Sequence, residues 1–274
     1  MTISAGTFTF VADLVRRCSA IELPAGKEYL VESRLLPLVR QADLAGVDEY
    51  VDTLRTVPHC AEHDRVVDAL TTNETSWFRD FTPFQALTRH VLPTLAAEHP
   101  TRTSVRVWSA ACSTGQEPYS IAMACLDAAP TLRVDITATD ISGQVLARGR
   151  AGRYSQVEIN RGLPAPMLVR HFARAGTEWE LSEQIRCRVT FLQHNLMDPP
   201  PSGGRFEVIF LRNVLIYFDP QTRAEVLRRV RSVLAPGGFL LLGATESTFG
   251  IQDAWERVAI GHGSLYRLNA RGAA

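Results

Sequence analysis

The feature that most constrains the fold is an alternation of short apolar strands and helices over the last two thirds of the chain. "VRVWSA" predicts a strand, "EPYSIAMACLDAA" a helix whose first turn suits Pro118, and "RVDITATD" a second strand. "FEVIFLRN" and "FLLLGAT" predict later strands of the same kind. Such alternation predicts an α/β domain built on a mostly parallel, doubly wound sheet.

Two other regions depart from this pattern. Residues 1–72 contain apolar residues at helical spacing, such as Val11, Leu14 and Val15, and predict a small all-α N-terminal domain ahead of the α/β domain at 73–274. Between about 152 and 188 the alternation breaks, which predicts a small β-subdomain containing a hairpin, inserted in the α/β domain. Later, "PQTRAEVLRRVRSVLAPGG" predicts a helix that ends at Gly237 and Gly238.

Charge and composition exclude several classes of protein. Lys+Arg and Asp+Glu both number 29, so the net charge of zero argues against a nucleic-acid binder held by bulk charge. Apolar runs fall short of the ~20 residues that a membrane helix needs, and the N-terminus lacks the basic region of a signal peptide. The scattered cysteines fit a reducing compartment, and "HCAEH" offers too few ligands for a metal. We therefore expect a cytoplasmic protein without membrane insertion or a metal site.

The turn after the first strand, "SAACSTG", predicts a ligand site, because small residues let a ligand approach the backbone. It holds one glycine rather than GxGxxG, which disfavours a dinucleotide pyrophosphate. Asp140 ends the second strand, where a carboxylate can accept hydrogen bonds from both hydroxyls of a ribose; the alternative is that it caps the next helix. Glu117 begins a helix, either as a cap or as a carboxylate that faces a sulfonium or an amino group.

Several motifs together carry a resemblance to a known family. "TTNETSWFRD", "SAACSTGQEPYSIAM", "ATDIS", "HNL", "FLRNVLIYFD" and "LAPGGFLLLGATES" resemble, in order and spacing, the chemotaxis protein methyltransferase (CheR) family. The resemblance implies a Rossmann-like class I methyltransferase domain with an inserted small β-subdomain, preceded by a small all-α domain. It also implies a protein-glutamate O-methyltransferase that converts S-adenosylmethionine (SAM) to S-adenosylhomocysteine and methylates chemoreceptors.

The resemblance also implies the residues of the site. Arg79 and Tyr217 are implied as catalytic, and the implied cofactor-binding residues are Asn73, Thr75, Arg79, Glu117, Asp140, Asn195, Leu196, Arg212 and Asn213. Arg79 would hold a carboxylate of the cofactor or the substrate through its planar fork of donors; the alternative is a surface ion pair. The Tyr217 hydroxyl would face the substrate carboxylate or the methyl group; the alternative is a half-buried core tyrosine.

Two departures from the family pattern affect these expectations. Ala111 and Gln116 replace the family's usual glycine and first glutamate, whereas Glu117 matches the second glutamate. The segment "RAGTEWELSEQIR" is shorter than the hairpin of members that grip a receptor's C-terminal pentapeptide, which puts pentapeptide tethering in doubt. The family's partner is the helical cytoplasmic domain of chemoreceptors, for which candidate contacts in the N-terminal helices are Lys27, Arg34 and Arg40. We expect a monomer, because the chain shows no exposed apolar heptad.

Two other functions remain open at this point. The chain could be a related methyltransferase that acts on a small molecule, a nucleic acid or another protein, or a SAM-binding module without turnover. The N-terminal helices followed by "TTNETSWFRD" favour the chemoreceptor enzyme over the first, and Arg79 and Tyr217 favour it over the second.

Overall fold

The structure is a computed structural model that describes residues 3–248, 255–260 and 263–268. Its contacts divide the chain into two units, one running to Thr72 and including Tyr217–Thr222, the other comprising Asn73–Ile216 and the described residues from Arg223 onward. Within the described part of the chain, every helix is too short or too polar to cross a bilayer.

The first unit is built from helices, as the sequence predicts. They are α1 (Ala5–Ser19), α2 (Glu28–Gln41), α3 (Val47–Arg55) and α4 (Ala61–Leu70). Helix α1 begins after Ser4, whose hydroxyl accepts the backbone N–H of Thr7 at 3.1 Å. Val11, Leu14 and Val15 are buried, which confirms the apolar face of this helix. These residues belong to the buried interior of the unit, together with Tyr50.

The described residues also form ten strands. They are β1 (Ser104–Ala110), β2 (Arg133–Asp140), β3 (Arg153–Ser155), β4 (Phe172–Ala175), β5 (Glu178–Leu181), β6 (Val189–Gln193), β7 (Phe206–Leu211), β8 (Leu234–Leu242), β9 (Trp255–Ile260) and β10 (Gly263–Leu268). The main sheet has the order β6-β2-β1-β7-β8-β10-β9, and its first five strands are parallel. Strand β10 pairs antiparallel with β8 and β9. The α/β class and the mostly parallel sheet are thus confirmed.

Helices cover the sheet and connect its strands. In the second unit they are α5 (Thr82–Ala86), α6 (Leu92–Glu98), α7 (Gln116–Ala128), α8 (Gly143–Ala151), α9 (Gln156–Asn160), α10 (Ala165–His171) and α11 (Glu183–Arg186), with a π-helical turn at Leu87–Val91 between α5 and α6. The last helix, α12 (Pro220–Val233), begins at the boundary of the two units. Strands β1 and β7 are buried on both faces, as is usual for strands covered by helices.

The end of α12 differs from the prediction. The helix stops at Val233, and Gly237 lies inside β8 with φ +71°. The register of β8 shifts between its first pair with β7, at Leu234, and its next, at Phe239. The two glycines therefore serve an irregularity in the strand rather than a helix cap.

A second, smaller sheet corresponds to the predicted insertion. Strands β3, β5 and β4 form an antiparallel sheet in that order, and two residues, Gly176 and Thr177, connect β4 to β5. The buried Tyr154 of β3 donates its hydroxyl hydrogen to the carbonyl of Thr114 at 2.9 Å. This bond ties the small sheet to the turn that follows β1.

Candidate functional site

One edge of the main sheet collects most of the predicted site residues. Because β6, β2, β1, β7 and β8 are parallel, their carboxyl ends lie along the same edge. The chain runs from β1 outward to β2 and β6 on one side, and to β7 and β8 on the other. Ligands of open α/β sheets bind at such a switch point, outside the carboxyl ends of the strands.

The turn after β1 is held in a left-handed conformation. Ala111, Ser113 and Gly115 have φ values of +57°, +50° and +93°. A Cβ atom on Gly115 would lie 3.1 Å from both the Phe191 ring and the Tyr154 hydroxyl, so this position requires glycine. Ala111 occupies the same region at a steric cost that glycine would avoid.

Asp140 is buried at the end of β2 and binds this turn. Its Oδ2 accepts the backbone N–H of Ser113 at 2.8 Å, and its Oδ1 accepts that of Ser142 at 3.0 Å. The N-cap of α8 is Ser142, so the alternative that Asp140 caps this helix is wrong. Burial raises the pKa of Asp140, against the lowering effect of the backbone N–H groups. A carboxylate has about four acceptor positions, so this one retains capacity for further donors.

Glu117, in the first turn of α7, also turns away from its helix. Its Oε1 accepts the hydroxyl of Ser109 at 2.8 Å, and its Oε2 accepts Nη1 of Arg212 at 2.9 Å. Burial raises the pKa of Glu117, and the Arg212 guanidinium and the Ser109 hydroxyl oppose that rise. The carboxylate is thus bound to side chains of β1 and of the residue after β7, rather than to the N–H groups of α7.

Arg212 links Glu117 to the segment that precedes α5. Its Nη2 donates to Oδ2 of Asp80 at 2.7 Å and to the carbonyl of Arg79 at 2.8 Å, and its side chain is 1% exposed. Two carboxylates share one guanidinium, so the Asp80–Arg212–Glu117 cluster carries one uncompensated negative charge when both acids are ionised. Arg212 is bound to protein groups, and its visible role is to hold Glu117 and the backbone of Arg79.

The predicted residues of this preceding segment are half-buried. The carbonyl of Asn73 accepts the hydroxyl of Ser113 at 2.8 Å, which brings Asn73 beside the turn after β1. Thr75 lies two residues further on. Nη1 of Arg79 donates to the carbonyl of Glu74 at 3.1 Å, and no carboxylate of the described residues forms an ion pair with Arg79. The surface-ion-pair alternative for Arg79 is therefore wrong for this structure.

Asn195 and Leu196 follow β6 on the other side of Asp140. The backbone N–H of His194 donates to the carbonyl of Asp140 at 2.9 Å, which places this loop next to the end of β2. The side-chain oxygen of Asn195 accepts the N–H of Met197 at 3.0 Å, and Leu196 is half-buried. The edge thus brings Asn195 and Leu196 together with Asp140.

The loop after β7 contains Asn213 and leads into a short 3₁₀ turn, Leu215–Tyr217. Asn213 has φ +57°. Tyr217 is half-exposed and belongs to the helical unit, where its carbonyl accepts the N–H of Glu22 at 3.2 Å. Its catalytic role stays a prediction.

The sequence did not predict the contacts of three residues of this edge. They are Asp80 and Ser109, which bind Arg212 and Glu117, and Glu246, whose carboxylate binds the loop after β7. All three stand inside motifs that carry the family resemblance, "TTNETSWFRD", "SAACSTGQEPYSIAM" and "LAPGGFLLLGATES", which gave no hint of their contacts. Glu246 reaches the loop after β7, about thirty residues earlier in the chain, because β8 pairs parallel with β7 and the ends of the two strands are therefore neighbours.

A parallel sheet with a buried acid at the end of its second strand, and without a glycine-rich phosphate loop, defines a nucleoside-cofactor protein of the α/β class. Residues 73–263 match the family described as "CheR methyltransferase, SAM binding domain", and residues 6–71 match "CheR methyltransferase, all-alpha domain". The chain belongs to the CheR methyltransferase family. It is a SAM-dependent methyltransferase.

Relatives that span nearly the whole chain agree with this assignment. The chain is 42% identical over 277 residues to the chemotaxis protein methyltransferase of Vibrio parahaemolyticus, covering 98% of each chain. It is 40% identical to chemotaxis protein methyltransferase Cher2 of Pseudomonas putida, covering 92% of this chain and 94% of the relative. The chemotaxis protein methyltransferase of Escherichia coli is 35% identical, with 90% and 86% covered.

Proposed function

We propose that the protein transfers the methyl group of SAM to glutamate side chains of chemoreceptors, forming glutamyl methyl esters and S-adenosylhomocysteine. The observation that carries the proposal is the set of carboxylates along one sheet edge, the buried Asp140 and the Glu117–Arg212–Asp80 cluster, in a chain that matches both CheR domains. The proposal includes a cytoplasmic location and a monomeric state.

The residues of the edge fit SAM by their chemistry. Asp140 has acceptor positions left for the two ribose hydroxyls, while Asn195 and Leu196 would frame the adenine. The uncompensated negative charge of the Asp80–Arg212–Glu117 cluster complements the positive sulfonium and amino groups. When bound, SAM supplies an electrophilic methyl group.

The substrate side needs placement rather than a strong base. A glutamate carboxyl with a pKa near ~4.3 is already ionised at neutral pH. Arg79, which lacks an ion-pair partner in the described part of the chain, would hold a carboxylate through two parallel N–H bonds. For Tyr217 we propose that its hydroxyl acts on the substrate carboxylate. The reacting atoms must then be held in line at roughly 3–3.5 Å.

The receptor's helical cytoplasmic domain is the proposed partner. Of the three basic candidates in the helical unit, Arg34 is unsuitable, because its guanidinium donates to the carbonyls of Ala69 and Thr71 at 3.1 and 2.8 Å. Arg40 is exposed, and Lys27 lies 5.7 Å from the Tyr29 ring. With only two residues between β4 and β5, we expect recognition without a pentapeptide tether, so receptors lacking that pentapeptide should be methylated equally well.

Radiolabelled SAM and receptor-containing membranes of the source organism test this function. Methyl esters of glutamate release methanol in alkali, whereas N-methyl groups do not, so base-labile counts report the proposed product. We expect such counts with the unaltered protein and their loss in Asp140→Ala. Asp135→Ala is the matched control, because Asp135 lies on the same strand, pairs with Arg133 at the surface, and is remote from the carboxyl end.

Two results would contradict the proposal. Alkali-stable counts would indicate transfer to nitrogen. SAM binding without any transfer to receptors would support the alternative of a cofactor-binding module without turnover.

A further inference from the structure

Glu246, just beyond β8, binds four backbone N–H groups with a single buried carboxylate. Its Oε2 accepts from Asn213 at 2.8 Å and from Gly243 at 2.7 Å. Its Oε1 accepts from Val214 at 2.9 Å and from Leu215 at 2.8 Å. Bonds from N–H groups to an ionised carboxylate are stronger than neutral ones, so this residue dominates the local order of the loop after β7.

The loop is also built so that the carboxylate can come this close. A Cβ atom on Gly243 would lie 2.6 Å from Oε2 of Glu246 and 2.9 Å from Nδ2 of Asn213, so a side chain there would displace one of them. Asn213 sits in the left-handed region, which L-residues adopt at a cost, and a held conformation of this kind needs surroundings that enforce it. Glu246 supplies that enforcement by binding the N–H groups of Asn213 and its two successors.

We infer that Glu246 is a positioning residue for methyl transfer. It fixes the backbone between Arg212, which holds Glu117, and the 3₁₀ turn that ends at Tyr217. The inference rests on the proposed function, because Tyr217 is the residue assigned there to the substrate carboxylate. Neither Asp140 nor Glu117 bonds to Glu246, although its charge acts on Glu117, and Glu246 binds Asn213 through the backbone N–H rather than the side chain. We therefore expect a larger effect on turnover than on cofactor affinity.

Glu246→Gln tests the inference with little change of shape. The glutamine amide keeps one acceptor oxygen, but its NH₂ group would face two N–H donors and repel them. We expect kcat, measured with SAM and receptor saturating, to fall about 10- to 100-fold, the loss typical of reactants misplaced by about 1 Å. The Kd for SAM, measured by calorimetry, should change by less than about threefold. Glu183→Gln, at an exposed glutamate on α11, is the matched control.

Gly243→Ala provides a second route to the same result, because the added methyl group pushes the carboxylate away without removing it. It should lower kcat in the same way, and in both variants amide hydrogen exchange of residues 213–215 should accelerate selectively. The exchange measurement needs no receptor. If the unaltered protein transfers no methyl group, the proposed function is refuted, but the exchange rates still decide whether Glu246 holds the loop.

Three outcomes would overturn the positioning role. One is an unchanged kcat in Glu246→Gln. Another is a rise in the Kd for SAM that parallels the loss of kcat, which would make Glu246 a general support of the site. The third is exchange at residues 213–215 that matches the unaltered protein. If Glu246→Gln does not fold, Gly243→Ala is judged by the same three criteria.

Discussion

The ends of β2 and β8 each present a buried carboxylate at the same sheet edge, and the two are used differently. Asp140 accepts two backbone N–H groups through its side chain and keeps acceptor positions for other donors. Glu246 accepts four, so its acceptor positions are filled by the protein. An acid that the protein leaves partly unsatisfied is suited to bind a ligand, and one that it satisfies fully is suited to hold a loop.

Glu117 illustrates a third arrangement at this edge. Its two oxygens are bound by a hydroxyl and a guanidinium rather than by the backbone. Its ionised form therefore depends on a cation, Arg212, that the same structure also uses to bind Asp80. Substitutions at Asp140, Glu246 and Glu117, or at the groups that bind them, should therefore differ in their effects on stability and on cofactor affinity.

The largest effect is expected where a carboxylate depends on a buried cation. Arg212→Met should lower the free energy of unfolding by about 3 kcal/mol, because it leaves the buried Glu117 charge without its partner. Adding Glu117→Gln should recover part of this loss. Urea denaturation without cofactor measures both. The control is Arg133→Met, whose exposed pair with Asp135 should contribute less than about 1 kcal/mol. Equal losses of unfolding free energy in Arg212→Met and Arg133→Met would contradict the distinction between the buried and the exposed ion pair.

Asp140→Asn should separate ligand binding from stability. The amide loses the charge that two ribose hydroxyls would bind, so the Kd for SAM should rise about 30- to 150-fold, equivalent to about 2–3 kcal/mol. The unfolding free energy should fall by no more than about 1 kcal/mol, because the amide NH₂ leaves one of the two backbone N–H groups without an acceptor while removal of a carboxylate whose charged form burial disfavours offsets part of that loss. Calorimetry and urea denaturation report the two quantities. Asp135→Asn is the control, and a marked loss of stability in Asp140→Asn would make its role structural.

The raised pKa of Asp140 predicts a pH dependence of cofactor binding. The folded protein protonates this carboxyl at a higher pH than an unfolded chain does, so SAM affinity should decline on acidification sooner than an ordinary aspartate would cause. The stability contribution has the opposite sign: it is greatest at low pH and is lost as pH rises through the folded pKa. Titrations from neutral pH into the acid range should show a decline of SAM affinity that disappears in Asp140→Asn. If the affinity of Asp140→Asn for SAM still declines on acidification, the decline is caused by the protonation of another group.

Ala111→Gly should give the smallest effect and a gain. Ala111 has φ +57°, which costs an L-residue about 1–2 kcal/mol. Glycine removes this cost but adds about 0.4–1 kcal/mol of unfolded-chain entropy. The net expectation is a stabilisation of about 0.5–1 kcal/mol, measurable by thermal denaturation. The control, Ala110→Gly, lies one residue earlier in β1 and should lower the stability. If both variants are less stable than the unaltered protein, the positive φ of Ala111 carries no cost that glycine removes.

The sequence predicts where the site residues lie better than it predicts the contacts that hold them. Asp140 and Glu117 could be placed because each lies at the end of a strand or the start of a helix, and topology alone brings those positions to one edge. The partners of Arg212 could not, because its bonds to Asp80 and Glu117 join residues about 130 and 95 positions away. The prediction that Gly237 and Gly238 end helix α12 was wrong for a related reason. Glycine is favoured both after the end of a helix and at an irregularity in a strand, so its presence does not distinguish the two.

The carboxylate of Glu246 also occupies a group of N–H donors that an external anion could otherwise bind. Four convergent backbone N–H groups would otherwise form a receptor for phosphate, sulfate or acetate. Because the occupant belongs to the same chain, its effective concentration exceeds that of any diffusible competitor. The loop is therefore an anion-binding arrangement of N–H groups that is already filled by a carboxylate of the same chain.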